Sequence, residues 1–168
     1  MAKKSSKKSM KNFGLDLLVL LFSGAMFGFL AMPYVKGEVS SILGTTSTTV
    51  SGYNLLNFDN DAGMATCILL LVIFASLMAV LAIVKMLGDA GIIKSRRVMK
   101  LIGFCMVFMA LAVLVMTIVN MIVVPSKCNS SSLGSLISAG SYAYWLGLIL
   151  SGVSALLGFV ASIFAVKQ

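Results

Sequence analysis

The sequence predicts an all-α membrane protein, a four-transmembrane-helix bundle with a small extracellular β-rich cap from the first outer loop. Three observations lead there. Hydrophobic residues make up 60% of the 168 and charged residues only 11%, whereas a soluble domain is about half apolar and about a quarter charged. The apolar residues fall in four unbroken blocks, each close to the roughly 20 residues that a helix needs to cross a hydrocarbon layer. Positive charge alternates between rich and poor along the segments that join those blocks.

The four blocks are Phe13–Met32, Met64–Val84, Leu101–Val124 and Tyr144–Val166. With flanking turns they predict helices over about 13–33, 64–87, 99–124 and 143–166. Outer loops follow at 34–63 and 125–142, and an inner loop at 88–98. Little chain is left over, so residues 1–168 read as a single integral membrane domain. The blocks are continuous, whereas a barrel strand would show about 10 residues of alternating polarity. The first block is longer than the apolar run of a signal peptide, and Ala31-Met32-Pro33 is a poor cleavage site, so it reads as a retained helix.

Charge sets the expected orientation. Lys3, Lys4, Lys7, Lys8 and Lys11 precede the first block, and Lys85, Lys94, Arg96, Arg97 and Lys100 lie between the second and third. The first outer loop has only Lys36 and the second only Lys127. By the positive-inside rule both termini and the middle loop face the cytoplasm. The expected location is therefore the plasma membrane, as a multi-pass protein. Lys94, Arg96, Arg97 and Lys100 read as the cytoplasmic anchor of helix three. Such residues attract anionic lipid by about 1 kcal/mol each. The same cluster lacks the aromatics or recognisable fold of a nucleic-acid site, so nucleic acid is not expected as a partner.

Helix packing is expected to rest on small residues, because lipid tails are as apolar as leucine and burial alone does not join helices. Gly24 and Gly28 stand at GxxxG spacing on helix one, where Gly24→Leu is expected to separate that helix from its neighbour. Gly147, Ser151 and Ala155 form one ladder on helix four, and Ser154, Gly158 and Ser162 a second. Ala75 and Ala79 are a weaker version on helix two. Met106, Met109 and Met116 on helix three read as adaptable packing.

Few polar groups fall within the blocks. Asn120 is placed to bridge to another helix. Asp16 reads either as a first-turn acid favoured by the helix dipole or as the partner of Lys85, which otherwise reaches back to the interface. Cys67 and Cys128 fall on one side and could pair in an oxidising compartment; two thiols are the alternative. There is no histidine, so the commonest general base and metal ligand is missing. No hydrolase or metalloprotease motif appears. An enzyme is not expected, nor is any cofactor.

In the first outer loop, Thr45–Val50 is β-branched apart from Ser47, between Gly44 and Gly52. It predicts a strand, with 37–43 or 53–58 as its partner. In the second, Leu133, Leu136 and Ile137 could lie against that cap, and Tyr142, Tyr144 and Trp145 suit an interfacial aromatic belt.

Four helices, cytoplasmic termini and a longer first outer loop with strand character make a chain that resembles the claudin-type tetraspan arrangement. The resemblance is one of topology. The W…GLW motif followed by two cysteines in the first loop is absent, so it implies a fold and no binding residue. The lysine-rich start points to a small bacterial membrane protein. The expected function is that of a non-enzymatic scaffold, adhesion protein or accessory subunit. Its partners would be membrane lipids, other membrane proteins or a second copy. A small transporter or channel is the alternative.

Overall fold

The computed structural model describes residues 2–41, 44–58, 61–93, 95–130 and 140–167. In chain order these form α1 (Ala2–Ala31), β1 (Pro33–Ser41), β2 (Gly44–Ser51) and a 3-10 turn (Asn54–Leu56). Then come α2 (Ala62–Asp89), α3 (Arg96–Ser130), β3 (Gly140–Tyr144) and α4 (Leu146–Lys167). The helices stand in a ring, α1 against α2 and α4, and α3 against α2 and α4. Stretches Phe13–Ala31, Ala62–Asp89, Arg97–Cys128 and Leu146–Val166 are long and apolar enough to cross a membrane.

Local chemistry sets the helix ends. Pro33 disfavours helical backbone at the residue before it, and α1 stops at Ala31. Asp61 caps α2, its carboxylate accepting from the Met64 N–H at 2.9 Å. At the far end Gly91 takes a positive φ of 89°. The Ile92 N–H then reaches Leu87 O and the Gly91 N–H reaches Gly88 O, a left-handed glycine stop that satisfies two orphan carbonyls. α3 continues six residues past its expected end at Val124, through Pro125. Proline removes its own hydrogen bond to the preceding turn. The extension meets the start of α2, where Lys127 pairs with Asp61 at 3.4 Å.

One end of the bundle carries a three-stranded antiparallel sheet in the order β2-β1-β3. β1 is central. It pairs with β2 from Pro33↔Ser51 to Ser41↔Gly44, with an irregularity between Pro33 and Val35. It pairs with β3 from Val35↔Tyr144 to Val39↔Gly140. The expected strand at 45–50 therefore takes its partner from the 37–43 side. The 53–58 alternative is a 3-10 turn instead. The second loop supplies a strand that the sequence reading did not place. Leu133, Leu136 and Ile137 lie outside the described residues.

Two apolar clusters fill the interior. One, beneath the sheet, joins Leu30, Tyr34, Val35, Leu55, Met64, Ile68, Val124 and Leu148. The other runs along the bundle through Val19, Met26, Met78, Met106 and Val113. Large apolar side chains also cover the outside. Phe104, Phe108 and Ile122 are each more than 60% exposed.

Candidate functional site

The buried polar residues of the helices concentrate at three levels, two near the sheet and one at the opposite end. At the opposite end Asp16 of α1 is fully buried and Lys85 of α2 is 5% exposed. The Lys85 ammonium donates to Asp16 Oδ1 at 2.7 Å. It also lies 3.6 Å from Asp89 Oδ2, one helical turn further along α2. From α3, Gly103 leaves room for the lysine stem; a Cβ there would stand 3.8 Å from Lys85 Cε and 3.1 Å from Val166 Cγ2 of α4. Side chains of α1 and α2 thus bring together one ammonium and two carboxyls, with α3 packed beside the lysine stem.

This arrangement corrects two expectations. Asp16 is not in a first turn, because α1 begins at Ala2, so the helix dipole does not account for it. Lys85 turns into the bundle and pairs with Asp16. Buried charges are costly unless paired, and the pair is what the fold supplies. Asp89 and Gly103 were not singled out in the sequence. Asp89 was findable, since residues four apart share a helix face.

Near the sheet, Tyr34 is fully buried. Its hydroxyl donates to Ser151 Oγ at 3.3 Å, and Ser151 Oγ donates to Leu148 O at 2.8 Å. Burial pushes the Tyr34 phenol up from its usual range, with the Ser151 contact opposing it. The Trp145 N–H donates to Tyr34 O at 2.9 Å, and the Tyr53 N–H to Leu30 O at 3.2 Å. The Tyr53 hydroxyl reaches Phe27 O at 3.1 Å. The two Tyr53 bonds occupy carbonyls near the end of α1, which would otherwise be orphaned in part. Lys36 stands 5.0 Å from the Trp145 ring centre and pairs with Glu38 at 2.6 Å.

The third level holds Asn120, fully buried. Its Nδ2 donates to Cys67 O of α2 at 3.3 Å, and its Oδ1 has no partner among the described residues. Thr117, a turn earlier, donates to Val113 O.

The small residues divide sharply. On α4, a Cβ on Gly147 would sit 2.8 Å from Phe29 O and 2.9 Å from Pro33 O, so that glycine permits backbone contact with α1 and β1. Ala155 is buried. Ser154 donates to Phe22 O of α1 at 2.9 Å, and Gly158 faces Met78 and Phe22. Gly152, missed in the sequence, faces Met121 of α3. Gly24 and Gly28 behave otherwise: both are exposed and nothing lies within 4 Å of a Cβ at either. The expected GxxxG contact is therefore not made within this chain. The inward face of α1 is Asp16, Val19, Ser23, Met26 and Leu30 instead.

The cysteines are not joined by a disulfide. α2 and α3 run antiparallel, and Asn120 meets Cys67 while Cys128 lies eight residues, about two turns, further along α3. That offset keeps Cys67 and Cys128 at different heights. Arg97 and Lys100 are exposed at the start of α3; the side chains of Lys94 and Arg96 lie outside those described. Among the described residues no group of three or more His, Cys, Asp or Glu is placed to hold a metal. An apolar groove of about 290 Å³ lies between α2 and α3, lined by Phe74, Phe108, Leu111, Ala112, Val115 and Met116. Comparison with protein-family models, curated proteins and solved structures finds no match.

Proposed function

We propose that the chain is a non-enzymatic four-span membrane protein acting as a scaffold or accessory subunit through its sheet and its exposed helix faces. One observation carries this reading. The sheet draws strands from both long connections and is tied to α1 and α4 by Tyr34, Tyr53 and Trp145. That gives a firm platform at one end, of the kind a partner can dock on. The exterior of the helices is apolar all round, which supports residence in a bilayer. The exposed Arg97 and Lys100 support placing the opposite end in the cytoplasm and the sheet outside. The same arrangement favours the claudin-type likeness at the level of topology. Anionic lipid at the cytoplasmic end, other membrane proteins or a second copy are the partners this implies.

Single cysteines at Thr48 and at Lys94, in a background lacking the native cysteines, test the placement. An impermeant thiol label on intact cells is expected to modify the first and not the second. Gentle purification from the native membrane, with identification of what accompanies the chain, tests the scaffold reading; recovery of the chain alone and monomeric would count against it.

A second reading, a small transporter, draws on the buried Asp16 alone. Ion flux in liposomes that is abolished by Asp16→Asn would favour it over the scaffold.

A further inference from the structure

α3 turns one unbroken stripe outward. Arg97, Leu101, Phe104, Phe108, Leu111 and Val115 follow one another at alternating intervals of four and three residues, which keeps them on one face of a helix. All six are exposed. Lys100 stands beside Arg97 at the head of the stripe and is exposed as well. Among the described residues neither cation forms an ion pair. From Ala90 to Lys100 the chain has four basic residues and no acidic one, so this end favours an anion.

Further along the same stripe lies the groove of about 290 Å³ between α2 and α3. Phe108, Leu111 and Val115 belong to both, and Phe74 of α2 with Ala112 and Met116 completes the wall. All six lining side chains are apolar. At about 1.5 Å per residue, Phe108 lies about 12 Å beyond Lys100 and Met116 about 24 Å. Half of the hydrocarbon layer is about 15 Å. The groove therefore begins at the depth reached by the far part of an acyl chain whose head is level with Arg97 and Lys100. Its wall suits a flexible chain better than a helix. Close helix contacts in a bilayer need small residues, and here Ala112 stands alone among Phe, Leu, Val and Met.

We propose that this face of α3 is a binding site for one anionic phospholipid, its phosphate on Arg97 and Lys100 and the far part of an acyl chain in the groove against Phe74 and Phe108. Cations at the head and an apolar slot below are complementary to an amphiphile with a negative head. The site rests on the bilayer residence proposed above and names one partner within it.

Photolabelling of the full chain in vesicles tests this. The vesicles hold phosphatidylcholine with a trace of phosphatidylglycerol, in both leaflets, that carries a photoreactive group near the end of one acyl chain. The readout then holds for either direction of insertion. The expected result is labelling concentrated on Phe74 and on 108–116, competed by unlabelled phosphatidylglycerol and not by added phosphatidylcholine. Arg97→Gln with Lys100→Gln should lower the labelling about thirty-fold, at about five-fold for each charge. Arg97→Lys with Lys100→Arg should keep it. Ala112→Phe, which fills the groove from its floor, should remove it. Labelling spread evenly over the four helices, or competed equally by phosphatidylcholine, would overturn the site while leaving membrane residence intact. A chain that labels nowhere is not in the bilayer, and both readings fall. If groove labelling resists competition and rises as the protein is diluted in lipid, a second copy covers the groove and the lipid assignment fails. The native chain alone decides the question where a variant does not fold.

Discussion

The two ends of the molecule are held by different chemistry. At the sheet end, cohesion is spread over backbone pairing and several neutral hydrogen bonds. At the opposite end it is concentrated in one ammonium between two carboxyls. The first design degrades gradually when a group is removed. The second depends on a charge balance, so losing one member strands the others in a medium that cannot solvate them.

The sharpest way to expose that difference is to remove the cation. Lys85→Met leaves the fully buried Asp16 carboxyl without its ammonium and is expected to destabilise the detergent-solubilised chain by about 3–5 kcal/mol, as for other broken buried pairs. Removing the partners together, with Asp16→Leu and Lys85→Met, should recover much of the loss, measured by chemical unfolding. If the single change costs no more than a surface substitution, the two ends do not differ as described.

At the sheet end the largest effect is expected at Gly147. A Cβ there meets Phe29 O at 2.8 Å and Pro33 O at 2.9 Å, both backbone atoms, so Gly147→Val should push α4 from α1 and cost about 1–3 kcal/mol by overpacking. Tyr34→Phe removes one neutral hydrogen bond while Ser151 keeps its bond to Leu148 O. It should cost only about 0.5–1.5 kcal/mol. A thermal melt that ranks these two in reverse would show the cap to hang on the tyrosine.

The Asp61 cap adds a pH dependence to the sheet end. The Met64 N–H outweighs the opposing effect of burial and, with a lesser contribution from Lys127, holds the Asp61 carboxyl below the usual carboxylate range. A depressed folded value means the cap stabilises above the unfolded pKa of about 3.9 and is lost as pH falls through the lower folded value. The Met64 amide resonance should move in that acidic window. Asp61→Asn keeps an acceptor and should abolish the movement. Smallest of all is Gly24→Leu, expected to change monomer stability by less than about 0.5 kcal/mol because the position is open. A large loss there would mean that α1 is covered on that face.

Much of the bundle was legible, because apolar block length and charge alternation report directly on long helices. The four spans and the strand at 45–50 follow from composition and β-branching. Spacing was less informative about direction. Gly24 and Gly28 share a face, but nothing in their spacing says whether that face turns inward; Asp16, Val19, Ser23, Met26 and Leu30 recur at helical intervals and take the inner side. The ladders on α4 point inward because every third or fourth position there is small. β3 was hidden because a five-residue strand in a Ser- and Gly-rich loop has no pattern of its own and exists by pairing with β1. Asp16 and Lys85 are 69 positions apart, so their meeting depends on how α1 docks on α2, which local sequence does not encode.

The order β2-β1-β3 also constrains the timetable of biosynthesis. β1 and β2 emerge from the ribosome next to each other and can close as a hairpin early. The other edge of β1 stays open until α2 and α3 have been made and Gly140–Tyr144 follows. During that interval its free amides and carbonyls are available to any passing strand, so a nascent chain stalled before β3 is the species most exposed to mispairing.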